Sequence, residues 1–173
     1  MKLITDGEHY SRVVEQGILK ARKRIWIATA NVKNLHVPGG NRRSLPLLRH
    51  FEKLQREGVS IRILHGSKPS APFLDTLSEV IELHQGDGFE MQLCPRVHSK
   101  IVIVDNSMAY TGSANLTGAG IGAKSDKRRN FECGIITEDP VEIQKIEEYF
   151  DNIWMGSFCM ACGRRNICPG PLI

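Results

Sequence analysis

The sequence predicts an α/β fold built on a mixed sheet, on three observations. Apolar residues recur at helical spacing in four segments; β-rich apolar runs lie between those segments; and in the second half two such runs follow one another across a three-residue turn. Helices alternating with strands cover a central sheet, and a hairpin among the strands makes that sheet mixed. The chain has 173 residues, 41% of them hydrophobic and 24% charged. That is the length of one domain, enough to bury one real core.

The elements follow in order. Residues 6–22 carry Tyr10, Val13, Val14, Ile18 and Leu19 on one helical face, with Asp6 as cap and Glu8 in the first turn. Residues 24–30 have the mostly apolar, β-rich character of a buried strand. Pro38-Gly39-Gly40-Asn41 is loop chemistry. A second helix is predicted over 44–56, with Leu47, Leu48, Phe51 and Leu54 on one face and Gly58 ending it. Residues 59–64 form a strand, 71–83 a third helix closed by Gly86-Asp87-Gly88, and 89–94 another strand. Residues 100–104 and 108–111, separated by Asp105-Asn106-Ser107, form a hairpin. A Gly-rich stretch follows, then a strand over 131–137 and a helix over 141–154.

Several function classes are disfavoured at once. No stretch approaches the roughly 18 consecutive apolar residues needed to span a bilayer, and Trp26 and Trp154 do not sit on a basic amphipathic helix of the kind that docks on one. Residues 1–7 lack the apolar stretch of a secretory signal, so a cytoplasmic protein is expected. The net charge of +4 suits a polyanionic partner. Lys20, Arg22, Lys23 and Arg24 form one basic cluster, and Lys124, Lys127, Arg128 and Arg129 another. A plain solvated surface is the competing reading of each.

The chemistry centres on His98-x-Lys100, then four residues to Asp105, then six to Gly112-Ser113-x-Asn115. His98 and Lys100, two apart at the start of a predicted strand, point to one face. A neutral imidazole can attack phosphorus while a neighbouring lysine holds phosphate oxygens. Ser113 and Asn115 share the same i, i+2 relationship, after a glycine that admits close approach of an anion. They supply hydroxyl, amide and backbone donors to the charge that builds on the equatorial oxygens.

This spacing resembles the signature of the phospholipase D superfamily, His-x-Lys-x4-Asp-x6-Gly-Ser-x-Asn, at all six fixed positions. Asn115-Leu116-Thr117 and Asn130-Phe131-Glu132 resemble the segments that follow it, and the likeness extends over about residues 5–155. The resemblance implies a mixed β-sheet flanked by helices on both faces. It implies a phosphodiesterase domain over 1–155; the cysteine-rich tail over 156–173 lies outside the resemblance. It also implies a reaction with no catalytic cofactor, in which one histidine forms a phosphohistidine intermediate and an opposing histidine protonates the leaving alcohol. Imidazole, with an ordinary pKa of about 6.5, suits both duties.

Only one copy of the motif is present: His9, His36, His50, His65 and His84 have no lysine two residues later. A two-fold homodimer that brings two His98 side chains into one site is therefore expected. Glu132 is expected to accept a hydrogen bond from His98 and fix its tautomer. Asp105, in the hairpin turn, is expected to be structural. Family members act on phospholipid head groups, on DNA or RNA, or on lipid phosphates. The small single-motif form and the basic run beside Gly112-Ser113-x-Asn115 favour nucleic acid, cut with little sequence specificity. A lipid phosphodiesterase and a non-catalytic nucleic-acid-binding module are the alternatives.

The five cysteines are Cys94, Cys133, Cys159, Cys162 and Cys168. An odd count without a secretion signal argues against a disulfide framework. Cys159-x2-Cys162-x5-Cys168 reads as a structural zinc knuckle, one ligand short of tetrahedral. Cys133, Cys94, a histidine or a partner chain would supply the fourth. An iron–sulfur cluster and free or redox-active thiols are the other readings.

Overall fold

A computed structural model describes residues 1–38, 43–80, 83 and 88–172. The elements are β1 (Lys2–Thr5), β2 (Arg24–Thr29), β3 (His36–Pro38), β4 (Ser44–Pro46), α1 (Leu47–Arg56), β5 (Ser60–His65), α2 (Ala71–Glu79), β6 (Phe89–Leu93), β7 (Ile101–Val104), β8 (Met108–Gly112), β9 (Cys133–Thr137) and α3 (Pro140–Trp154). Seven strands form one sheet in the order β1-β9-β8-β7-β2-β5-β6, and β3 and β4 form a small ribbon. β2, β5 and β6 run parallel, while β7, β8, β9 and β1 alternate in direction. The mixed sheet is thus a parallel half joined to an antiparallel half at the β2–β7 pair.

The alternation of side chains across each strand sorts the core into two layers. Ile25, Ile27, Val102 and Val104 face Val13, Val14, Phe51, Leu54 and Phe73 from the N-terminal turns, α1 and α2. Ala28, Ile101 and Ile103 face Ile143, Phe150 and Trp154 of α3. Every residue of β7 is buried for that reason. Each such aliphatic side chain contributes roughly 1.5–3 kcal/mol relative to exposure. Trp26 stacks on Phe150 at 5.1 Å, with the Arg24 guanidinium 4.4 Å over its ring. No helix among the described residues is long and apolar enough to cross a membrane.

Several expectations are corrected. Residues 6–22 are not one α-helix: Asp6 takes φ 44°, residues 10–15 form a π-helical turn, and 18–20 a 3₁₀ turn. Asp6 caps nothing there, because its carboxylate instead accepts the N–H of Glu132 at 3.0 Å. β1, ahead of it, pairs with β9 and was not predicted. The second helix begins at Leu47 rather than Ser44, since a residue before proline is pushed out of the α region and Pro46 itself sits extended. Residues 44–46 pair with β3 instead. The last strand starts at Cys133, two residues late. Gly58 ends α1 as expected, at φ +88°, with Val59 N–H returning to Leu54 O. The third helix, expected over 71–83, ends at Glu79 with Val80 as its cap. The Gly39-Gly40-Asn41 loop and the Gly86-Asp87 turn lie outside the described residues.

Asp105 makes its contacts with backbone groups. At φ 52° it turns the chain between β7 and β8. Its carboxylate accepts three successive backbone N–H groups, from Arg22 at 3.1 Å, Lys23 at 2.8 Å and Arg24 at 3.0 Å. The hairpin is thereby fastened to the start of β2. Asp105→Ala is expected to lower stability by about 2–3 kcal/mol, the scale for losing hydrogen bonds to a charged acceptor, with Asp105→Asn falling between; chemical denaturation checks both.

Candidate active site

The motif spacing becomes geometry through the hairpin. β7 and β8 pair with Ile101 opposite Thr111, so Lys100 and Gly112 come side by side, and Gly112 N–H donates to Lys100 O at 3.2 Å. Gly112 admits no side chain: a Cβ there would lie 2.6 Å from both Cys133 O and Gly134 Cα, and against the Tyr110 hydroxyl. All this happens where β2 and β5 end and β7 begins. In an open sheet, the carboxyl ends of parallel strands beside a change of direction are where ligands bind.

His98 is exposed and Lys100, two residues on, is only 8% exposed. They precede the first paired residue of β7 rather than lying in it. The Lys100 ammonium donates to His98 O at 2.6 Å and lies 3.2 and 3.3 Å from Nδ1 and Nε2 of the ring. Burial pulls the Lys100 pKa below the usual lysine range, and the negative charge of Glu132 partly opposes that.

Asn115 is oriented by residues that the sequence reading did not single out. Its Oδ1 accepts the backbone N–H of Asn31 at 3.1 Å and lies 3.2 Å from the buried Thr29 hydroxyl. Thr29 in turn accepts the N–H of Leu116 at 3.1 Å. With Oδ1 occupied as an acceptor, the Asn115 amide keeps its N–H groups for another ligand. Two polar residues closing the apolar β2 run, Thr29 and Asn31, were the available signal.

Glu132 departs from expectation. The β8–β9 register, Gly112 opposite Gly134, sets it beside Ser113, and its hydrogen bonds go there and to Asn130 rather than to His98. The Ser113 hydroxyl donates to Glu132 Oε2 in a short contact, and Asn130 Nδ2 donates to Oε1 at 3.0 Å. The Ser113 oxygen also accepts Cys133 N–H at 3.1 Å. His98, Lys100, Gly112, Ser113, Asn115 and Glu132 therefore share one end of the sheet, with Ser113 linking Glu132 to the group.

The basic run folds back towards this end. Lys124 N–H donates to Gly118 O and Asn130 N–H to Ala119 O, closing residues 118–130 as a loop. Lys124, Lys127 and Arg128 are exposed, whereas Arg129 is paired with Asp126. The predicted ligands Cys159, Cys162 and Cys168 are not gathered: among the described residues no three His, Cys, Asp or Glu side chains are placed to hold a metal ion.

The fold is shared with known proteins. Solved structures of similar fold include NucT from Helicobacter pylori, with a TM-score of 0.60 at 16% identity over 87% of this chain and 92% of that one. Nuc from Salmonella typhimurium, a phospholipase D family member, gives 0.60 at 18% identity over 88% and 92%. TrmBL2, an archaeal chromatin protein with a novel mode of DNA binding, gives 0.57 at 14% identity over 89% of this chain and 52% of its own. No curated protein matches the sequence itself. A family model described as the phospholipase D-like domain of cardiolipin synthase matches residues 14–154. The chain carrying this histidine–lysine hairpin belongs to the phospholipase D-like family.

Proposed function

We propose that the chain is a phosphodiesterase acting on nucleic acid with little sequence specificity, through a phosphohistidine formed on His98 in a site shared by two copies. The observation that carries this reading is the pairing of an exposed imidazole with a buried ammonium. A nucleophile reachable from solvent stands beside a fixed positive charge that a phosphate oxygen can approach.

In the first step a ring nitrogen of His98 bonds to phosphorus and the bond to the leaving oxygen breaks. The imidazolium of His98 from the second copy gives that oxygen its proton. In the second step the same imidazole, now neutral, takes a proton from water, whose oxygen displaces His98 from phosphorus. Both imidazoles return to their starting states. Lys100 and the free N–H groups of Asn115 meet the negative charge on the equatorial oxygens. Glu132 holds the Ser113 hydroxyl in place. These residues supply the charge stabilisation, so the reaction as proposed runs without a metal. Lys124, Lys127 and Arg128, exposed on the loop that closes beside Asn115, are suited to flanking phosphates, and such contacts ignore base identity. TrmBL2, which has a similar fold, binds DNA, and that supports the same class of partner.

A shared site needs a face for the second copy. Across β1, β9 and β8 the register aligns Leu3, Ile135 and Thr111 in one row, all exposed. Phe131, next to Glu132, is 97% exposed. The exposed apolar side chains Leu3, Ile135 and Phe131 beside the candidate site are suited to burial against a symmetry mate.

Three outcomes test the reading. The wild-type chain is expected to cleave DNA or RNA in excess chelator, with circular dichroism confirming the fold, while His98→Ala loses at least about 10³-fold in turnover and keeps its affinity for nucleic acid. Activity of His98→Ala near the wild-type level would remove the assignment. Thr29→Val, which leaves the Asn115 amide less firmly held, should lower kcat by about tenfold, against about 10²–10³-fold for Asn115→Ala. Ile135→Arg should sediment as a folded monomer and lose activity together with dimerisation; an active monomer would show that one copy suffices.

A further inference from the structure

The segment after α3 follows a defined path with almost no core of its own. Phe158, Met160 and Ile167 are exposed, and its regular structure is limited to the 3₁₀ turn Arg165–Ile167. Hydrogen bonds close it on itself, since Arg165 Nη1 donates to the carbonyls of Cys159 and Leu172, each at 3.2 Å. Others tie it to the stretch leading into His98: Arg164 Nη1 donates to Pro95 O at 2.5 Å, and Arg96 Nη1 lies 3.8 Å from Cys162 Sγ. Burying so little apolar surface does not offset the entropy of ordering a backbone, and small elements of this kind use a disulfide or a metal. All five cysteines are free thiols.

Three of those thiols line one cavity. A space of about 230 Å³ between the tail and the body is bordered by Cys94, Cys159 and Cys162, with Arg96, Ile153 and Phe158 among its walls. Cys159 and Cys162 bracket a tight turn, in which Cys162 N–H donates to Cys159 O at 3.2 Å. The Cys162 sulfur accepts from the Arg96 guanidinium at 3.8 Å. Cys168 follows directly after the 3₁₀ turn. Cys133 lies apart, exposed on β9.

We propose that the tail is a structural zinc site in which Cys94, from the segment leading to His98, joins Cys159, Cys162 and Cys168 as the fourth ligand. Four thiolates around a d¹⁰ cation make the closed tetrahedral arrangement of structural sites, at about 2.3 Å from metal to sulfur. The sulfurs are not gathered in advance. Zinc supplies that contraction, drawing Cys168 towards the cavity and releasing the thiol protons, so that its binding free energy becomes folding free energy for the tail. Through Cys94 the ion fastens the tail to the chain four residues before His98. The proposal stands on the tail and the cavity, independently of the phosphodiesterase reading.

Metal analysis of the full chain, purified without chelator or supplied with zinc, is expected to find one zinc per chain. The wild-type protein is then alkylated with iodoacetamide, with zinc bound and after its removal, and the modified residues are mapped. Zinc should slow modification of Cys94, Cys159, Cys162 and Cys168 about tenfold or more and leave Cys133 unchanged. Cys94→Ser should weaken zinc binding about tenfold or more, and Cys133→Ser should not alter it. Failure to bind added zinc, a Cys159–Cys162 disulfide in its place, or zinc bound with Cys94 unprotected would each overturn the assignment. Because the alkylation map uses the wild-type chain, a Cys94→Ser variant that failed to fold would leave the test intact.

Discussion

Everything at the candidate site depends on the pairing of β7 with β8 in a single register. Ile101 opposite Thr111 places Lys100 against Gly112, and a shift of one residue would send every side chain of the hairpin to the other face of the sheet. Ile101, Val102, Ile103 and Val104 are all apolar and buried, so their pattern alone does not choose the register. Asp105 grips the N–H groups of Arg22, Lys23 and Arg24, which locks the turn to the neighbouring strand and not merely to its own hairpin.

The sheet's two halves contribute different things. The parallel half ends in polar residues, and from there Thr29 and Asn31 fix the amide of Asn115. The antiparallel half delivers His98, Lys100, Ser113 and Glu132 from short loops at strand ends. The candidate site is therefore held by rigid elements on both sides, with its donors already oriented. That is the condition under which hydrogen bonds to a developing charge need little reorganisation.

Much of this was legible from the residues. The motif located the site because its spacing is the length of a hairpin, and strands such as β2 and β7 announced themselves by unbroken apolar runs. What escaped was set by long-range contacts. β1 is four residues long and exists because β9 offers it an edge. Residues 6–22 have a helical apolar pattern, but the Asp6 carboxylate is drawn off to Glu132, 126 positions away, and the segment winds irregularly. The partner of Glu132 likewise followed from the β8–β9 register, which no local pattern encodes. Pro46 was a readable signal, since proline bars the helix from starting at Ser44.

Asp105 stands at the opposite end of β7 from His98, with the whole four-residue strand between them, roughly 13 Å at the usual rise. One fixed position of the six-residue signature is thus remote from any chemistry. A signature of this kind reports a folded hairpin at least as much as a reaction. A chain that had lost its imidazole but kept the aspartate and the glycine would still be shaped like an enzyme, with nothing to attack the phosphate.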